Sequence, residues 1–488
     1  MNNTLRRFSI LKFSPQTFFI FIFTLCYFVV NAQYSIKFKS PNYKDSLLLV
    51  GYYYGDKQLV KDSLFRNKEG FYEMTGKDTL RNGLYMAVLK PNNTPFQFLV
   101  QDEKNFTVTF DTSNLARPVF KGSVENDLFY DFIAYISQKR KEADPLKAKI
   151  EAAEKDSTKT VDVSKEKEAL DKLDKEVKAY QQKVYEQYPK SLTTFILKGS
   201  NDIEVPKFEE ETDEKAAQLK KYYYYRSHFF DNIDMKNPSL IYNNFFYNKV
   251  NDYFTKLVPQ APDSLIMETD LFMQKIKGNE DAERFFLSQW IQQYGNGKFI
   301  GTDALFVHLI DHYFKAGKTP WADPEKMEKL YRYADDWRPI LIGKTIPNIA
   351  LYKEDSTLIQ LHQVKADYTL LVFWAPDCGH CKKAMPFIVD WEEKHRNDNI
   401  KIVSVCTFAY DKEPQCWPGV KEKKMENFIN TSDKDQAYRR YISVPSTPKV
   451  FLLDKNKKIL IKDFSAEKID EVFEEVLKTE NAMKTAKS

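Results

Sequence analysis

Cys378 and Cys381 stand two residues apart in the stretch Leu371–Pro386, LVFWAPDCGHCKKAMP. Two thiols at that spacing can form, break and exchange disulfides. Exchange begins with a thiolate, so one of the pair must have its pKa lowered. The flanking pattern shows how. Tyr368–Trp374 is an apolar run of strand length, and a short turn follows it. Lys382–Lys394 has helical character, with Met385, Ile388, Val389 and Trp391 broadly on one side. Strand, turn, C-x-x-C and helix in that order put Cys378 at a helix N-terminus. Unpaired N–H groups and the helix dipole there favour negative charge. Such sites bring a cysteine from about 8.5 to roughly 3.5–7.5. Cys381, one turn later, can attack the mixed disulfide that Cys378 forms.

Other uses of the pair meet specific objections. Half a zinc site needs two more ligands at suitable spacing, and no second C-x-x-C exists. Haem attachment needs a histidine after the second cysteine, where Lys382 stands. His308 and His312, in HLIDH, have the i, i+4 spacing of a metal-binding helix. Asp311 is out of place for either the H-E-x-x-H or the H-x-x-E-H pattern, so an amphipathic helix over Ala304–Phe314 is the expectation.

The chain has 488 residues, enough for two or three domains, and 15% of them are aromatic, which fits folded domains. The net charge of +4, with acids and bases interspersed, gives no case for nucleic acid. Arg6, Arg7 and Lys12 precede the apolar run Phe18–Val30, and Val30-Asn31-Ala32 offers small-residue cleavage before Gln33. This is the pattern of a secretory signal peptide over residues 1–32, with an apolar run short for a spanning helix. No stable membrane span is expected after its removal. Cys26 lies inside that run. The other four cysteines, Cys378, Cys381, Cys406 and Cys416, all fall in the last quarter. An even number in an exported chain permits disulfides. Cys406 closes a predicted strand, Ile400–Val405, and Cys416 lies in the following Pro-containing loop, so their separation allows a local structural disulfide.

Upstream, residues 33–122 alternate with period two. Tyr34–Phe38, Leu47–Tyr54, Gly70–Thr75, Gly83–Leu89, Phe96–Val100 and Phe106–Phe110 read as strands, separated by turn signals such as Gly55-Asp56 and Asn92-Asn93. Spacing near ten residues predicts an antiparallel sandwich or small barrel. Residues 123–340 are helical. Leu170, Leu173, Val177, Tyr180 and Val184 form a narrow seam in a highly charged stretch. Leu146 and Ile150 can face it across a turn near 156–162, giving a helical hairpin; a single solvated helix is the alternative. The four tyrosines Tyr222–Tyr225 are expected to pack on neighbouring helices.

The stretch WAPDCGHCKK resembles the active site of thioredoxin-fold proteins, specifically the TlpA/ResA-like thiol–disulfide oxidoreductases of bacterial envelopes. The resemblance covers about residues 341–480, opening at Ile342-Gly343-Lys344-Thr345-Ile346-Pro347. It implies an α/β thioredoxin fold over 341–488, in which Val450–Leu453 and Lys458–Lys462 form a hairpin and Ala466–Thr479 a closing helix. KGSVEN at Lys121–Asn126 resembles a β-rich domain that often precedes such modules, and the helical stretch resembles an uncharacterised domain of similar envelope proteins. The expected architecture is therefore a signal peptide (1–32), a β-sandwich-like domain (33–122), a helical domain (123–340) and the thioredoxin-like domain.

The resemblance further implies that Pro448, in Ser446-Thr447-Pro448-Lys449, faces the C-x-x-C across a cis peptide bond. The backbone of Thr447 is then left free to pair with a substrate strand, and Trp374 helps shape the substrate surface. Two positions depart from relatives. Val372 stands where many thioredoxins keep an acid and envelope relatives an Asn, so deprotonation of Cys381 falls to water or a mobile side chain. Gly379-His380 lies between the cysteines, as in protein disulfide isomerase. There His380 can stabilise the Cys378 thiolate and move the poise toward roughly −180 mV, from the approximately −270 mV of thioredoxin. The expected activity is exchange of disulfides with envelope proteins, without metal or dissociable cofactor, electrons coming from an envelope partner protein. A disulfide isomerase or oxidant, or an envelope scaffold with a secondary redox module, are the competing readings.

Overall fold

The computed structural model describes residues 33–155, 162–208, 211–295 and 301–485. The targeting segment read over 1–32, and most of the turn expected at 156–162, lie outside the described residues. Two compact units are present. Among the described residues, one holds the chain up to Val205 with Phe230–Asp234 and Ser239–Tyr247; the other holds the chain from 206 to Phe229, Met235–Pro238 and the chain from Asn248 onward. The helical stretch contributes to both.

In the first unit the strands are β1 (Tyr34–Lys39), β2 (Leu47–Tyr54), β3 (Lys57–Phe65), β4 (Tyr72–Gly76), β5 (Gly83–Leu89), β6 (Thr94–Val100), β7 (Asn105–Asp111) and β8 (Asn114–Lys121). They form two four-stranded sheets, ordered β4-β1-β7-β8 and β3-β2-β5-β6. Rings from the two sheets meet between them: Phe38 on β1 lies 5.4 Å from Phe98 on β6, and Phe110 on β7 lies 5.2 Å from Phe96. The expectation of a wholly antiparallel sandwich needs one amendment, because β1 and β7 pair in parallel. The strands β3 and β8 are additions to those read from the sequence pattern. Both are sheet edges with mostly exposed residues, so neither shows the alternation that burial of one face imposes.

Three helices follow in this unit: α1 (Val124–Lys155), α2 (Ser164–Gln187) and α3 (Leu192–Ser200). The expected hairpin of α1 and α2 is present. Tyr135 stacks on Tyr180 at 4.1 Å, and Lys139 pairs with Glu176 at 2.6 Å. In the KGSVEN segment Gly122 takes φ +91°, turning the chain into α1, and the hydroxyl of Ser123 accepts the N–H of Asn126. The Asn126 side chain, fully buried, accepts from Leu99 N–H at 2.7 Å and donates to Leu99 C=O at 2.8 Å, fastening α1 to β6.

The second unit begins with α4 (Glu214–His228), α5 (Asn244–Asp252, which starts in the first unit), α6 (Pro262–Ile276), α7 (Glu280–Tyr294), α8 (Thr302–Leu309) and α9 (Pro324–Trp337). Of the four tyrosines, Tyr222 donates to Leu257 C=O and Tyr224 packs edge-on to Phe208, while Tyr223 is exposed. The C-terminal part adds β9 (Ala350–Tyr352), β10 (Leu358–Gln360), β11 (Tyr368–Trp374), α10 (Gly379–Lys394), β12 (Ile400–Cys406), α11 (Cys416–Glu422), β13 (Ile429–Ser432), β14 (Lys449–Asp454), β15 (Ile459–Lys462) and α12 (Ile469–Thr485). These strands make one sheet, β10-β9-β13-β12-β11-β14-β15, with β11 flanked by β12, to which it is parallel, and β14, to which it is antiparallel. Both faces are covered. Leu370, Val372 and Trp374 pack with Met385, Ile388 and Trp391 of α10 and Phe473 of α12, while Leu371 and Phe373 pack on the other face with Tyr438 and Phe451.

Candidate active site

The buried strand β11 delivers the chain to the turn Ala375–Asp377, and α10 leaves from it. Cys378 is the N-cap of α10, and its Sγ accepts the N–H of Cys381 at 3.0 Å. A sulfur held this way receives one of the orphan donors of the helix start, which favours its ionised form. Cys378 is half-buried and Cys381 wholly buried, and the two form a disulfide across a Cα–Cα distance of 5.2 Å. One sulfur is reachable and the other is shielded, an arrangement in which an outside thiol or disulfide meets Cys378. His380 is exposed on the first turn of α10.

The Thr447–Pro448 bond is cis, and the segment lies against the dithiol: Cys378 Sγ is 3.3 Å from Thr447 O. The carbonyl expected to be free for a substrate strand is thus turned to the sulfur. Trp374 requires a correction. The expectation places it on the substrate surface, yet it is wholly buried. Its position at the end of a strand covered on both faces explains this, because its ring falls in the cluster that also holds Cys381, Cys406 and Cys416. Val372, in the same cluster, is fully buried.

Cys406 lies directly opposite Trp374 in the β11–β12 register and is disulfide-bonded to Cys416, both residues being buried. Cys416 sits at the start of the short helix α11, not in a loop. Pro414 and Pro418 argue for a loop in the sequence, but Pro418 falls in the first turn of α11, where a missing N–H is tolerated. Spacing gives no hint of the residues that close over Trp374 from α11. Lys423 Nζ donates to Pro376 C=O at 3.1 Å and lies 5.4 Å from the Trp374 ring. Such contacts join positions more than forty residues apart, and no local pattern reports them.

The HLIDH histidines have structural partners. His308 Nε2 meets Asp270 at 2.9 Å, the His312 ring stacks on His308, and Asp311 pairs with Arg338 at 2.8 Å. Among the described residues no group of three or more His, Cys, Asp or Glu could hold a metal ion. Among the same residues no helix is long and apolar enough to cross a membrane.

Residues 341–478 match the redoxin family. The thiol–disulfide oxidoreductase ResA of Bacillus thuringiensis subsp. konkukian is 26% identical over 137 residues, which is 28% of this chain and 77% of the relative. ResA of a Bacillus cereus strain is 28% identical over 142 residues, 29% of this chain and 73% of the relative. Among solved structures, a domain of a possible thiol-disulfide isomerase from Cytophaga hutchinsonii aligns with TM-score 0.27 at 30% identity, covering 30% of this chain and 98% of that one. A thioredoxin-like protein from Bacteroides caccae aligns with TM-score 0.44 at 15% identity, covering 56% of this chain and 98% of that one. The family match spans the sheet, the dithiol and α10 together, and the C-terminal domain of this chain is a redoxin-family, TlpA/ResA-like thiol–disulfide oxidoreductase module.

Proposed function

We propose that the chain is an exported oxidoreductase exchanging disulfides with other envelope proteins, Cys378 attacking and Cys381 resolving. The observation that carries this reading is the asymmetry of the pair: a half-buried sulfur at a helix N-cap beside the Thr447–Pro448 segment, and a wholly buried one a turn later. In the forward step the Cys378 thiolate attacks one sulfur of a substrate disulfide, and the other sulfur leaves as a thiolate. Cys381 then loses its proton to water or a mobile group and attacks Cys378 Sγ. The substrate is released with two thiols, and the enzyme keeps the Cys378–Cys381 disulfide. A thiol-bearing envelope protein returns the two electrons.

His380, one residue from the resolving cysteine, tunes the thiolate, and the Thr447 N–H, whose own carbonyl faces Cys378 Sγ, aligns the substrate. Export rests on the Arg6–Ala32 pattern and on the even number of cysteines that remains after it, which an oxidising destination permits to pair. Chemistry is assigned to residues 341–488 and partner choice to the upstream stretches 33–122 and 123–340, because every credible redox group lies after residue 370. The test uses the full chain. Cys381→Ser should accumulate a mixed disulfide with a substrate protein that disappears on further replacement of Cys378 by Ala. Cys378→Ala alone should reduce insulin no faster than the uncatalysed reaction. A mixed disulfide that forms through Cys381 in the Cys378→Ala chain would reverse the assignment.

A further inference from the structure

The short helix α11 contacts the backbone and side chains of the turn that presents the dithiol. Two residues, Lys423 and Gly419, do this. Lys423, half-buried at the end of α11, donates from Nζ to Pro376 C=O at 3.1 Å, two residues before Cys378. The same ammonium lies 5.4 Å from the centre of the Trp374 ring. Gly419 lies so close that an added Cβ would come within 3.0 Å of the Trp374 ring and 3.3 Å of Pro376. The helix is itself fixed at its other end, where the Cys406–Cys416 disulfide ties its first residue to the end of β12. That strand end is joined to the same turn, since Thr407 donates to Trp374 C=O from its N–H at 2.8 Å and from its hydroxyl at 3.1 Å.

We infer that α11, tied to β12 by the Cys406–Cys416 disulfide, is a positioning clamp for the Trp374–Asp377 turn, with Lys423 as the residue that sets the reactivity of Cys378. The inference rests on the reading of Cys378 as the attacking thiol. Two physical effects combine. Holding Pro376 C=O fixes the angle at which the chain enters the N-cap, and so keeps Cys378 Sγ on the Cys381 N–H. A cation at that carbonyl also adds positive potential near the developing thiolate. The pair Cys406–Cys416 is buried, and its contribution to the clamp is to hold the helix in place. The remaining charged residues of these segments are Asp377, His380, Lys382 and Lys383 around Cys378, Lys421, Glu422 and Lys424 on and after α11, and Lys449, paired with Asp463 behind Thr447.

The test follows the rate of iodoacetamide labelling of Cys378 against pH, mapped by peptide, in the full chain reduced only far enough to open Cys378–Cys381, with peptide mapping showing Cys406–Cys416 still bonded. Lys423→Met should move the labelling profile to higher pH and slow labelling at pH 6–7 by about 3–10-fold, the effect of roughly half to one pKa unit. Lys423→Arg, which keeps a donor and a charge, should restore most of the wild-type profile. The double replacement Cys406→Ala with Cys416→Ala should shift the profile in the same direction as Lys423→Met. If that double variant does not fold, the Lys423 pair of variants decides alone. Superimposable profiles for Lys423→Met and wild type overturn the clamp and leave Cys378 as the nucleophile. Labelling of Cys381 ahead of Cys378 in the wild-type chain overturns the assignment of the nucleophile, and the clamp with it.

Discussion

Val372 bears on the second step of the proposed exchange. It is wholly buried in the cluster that holds Cys381, with Ser404 and Val450 as its register partners on the two neighbouring strands. An apolar side chain here stabilises the sheet but offers no acceptor for the Cys381 proton. Val372→Asp should therefore have two opposite effects. A buried carboxyl without a charged partner destabilises the fold by about 2–4 kcal/mol and has its pKa raised. Stability of the variant should fall as pH rises from the ordinary carboxylate value through the raised one, because the unfolded chain ionises first. At pH above the raised value the carboxylate should accelerate release of the mixed disulfide. Urea midpoints and single-turnover release, each followed against pH, check the pair of outcomes; unchanged release above that pH would remove proton transfer as the limiting step. The two cysteines and the absence of an acid at 372 are legible in the residues themselves. The burial of Trp374 is not, because an aromatic residue at the end of a strand carries no local mark of what will close over it. The covering residues, Gly419 and Lys423, come from a short helix and its C-cap, where Pro414 before the helix and Pro418 within it read as a loop.

At the scale of elements, legibility follows burial. Strands buried on one or both faces, such as β5, β7 and β11, announce themselves by alternation or by a continuous apolar run. Edge strands β3 and β8 leave most of their residues exposed and escape a reading by alternation, as do the three- and four-residue strands β9, β10 and β13. The junction of β8 and α1 shows a motif whose meaning emerges only in three dimensions. KGSVEN supplies a glycine with positive φ, a serine at the helix start, and an asparagine whose amide pairs with both backbone groups of Leu99. Asn126→Ala should leave a buried N–H and C=O on Leu99 unpaired and destabilise the first unit by about 2–4 kcal/mol. Asn126→Asp keeps the acceptor but loses the donor, and should fall at least as far, since it also buries a charge. Denaturation followed by the tyrosine signal of the sheets measures both. A loss below about 1 kcal/mol for the alanine variant would mean that water enters and replaces the amide.

At the scale of the molecule, one ion pair bears on whether the redox domain stands alone. Lys462 on β15 and Asp303 on α8 are both buried and hydrogen-bonded to each other, and Lys462 Nζ also donates to Ile340 C=O at 2.7 Å. Burial pushes the Lys462 amine below the ordinary lysine range, and Asp303 opposes that shift. Its contribution to stability is therefore complete above the unfolded value of about 10.4 and declines as pH falls toward the lowered folded value. Asp303→Asn strands the ammonium in an apolar setting and should destabilise the second unit by about 3–5 kcal/mol at neutral pH. The same change should widen the pH window of decline downward, because the opposing attraction is gone. Adding Lys462→Met to Asp303→Asn should recover most of the loss, since no uncompensated charge remains. A chain beginning near Trp337 lacks Asp303 but keeps Ile340 and the whole seven-stranded sheet. It also lacks α8, so its Lys462 can reach water and is not stranded. That truncated chain should fold, reduce insulin at a rate near that of the full chain, and tolerate Lys462→Met without loss. Its action on a native protein substrate should be weaker, as the proposed role of the upstream domains in partner choice requires. A truncated chain that folds but is inert toward insulin would show instead that the helices beside β15 complete the active domain.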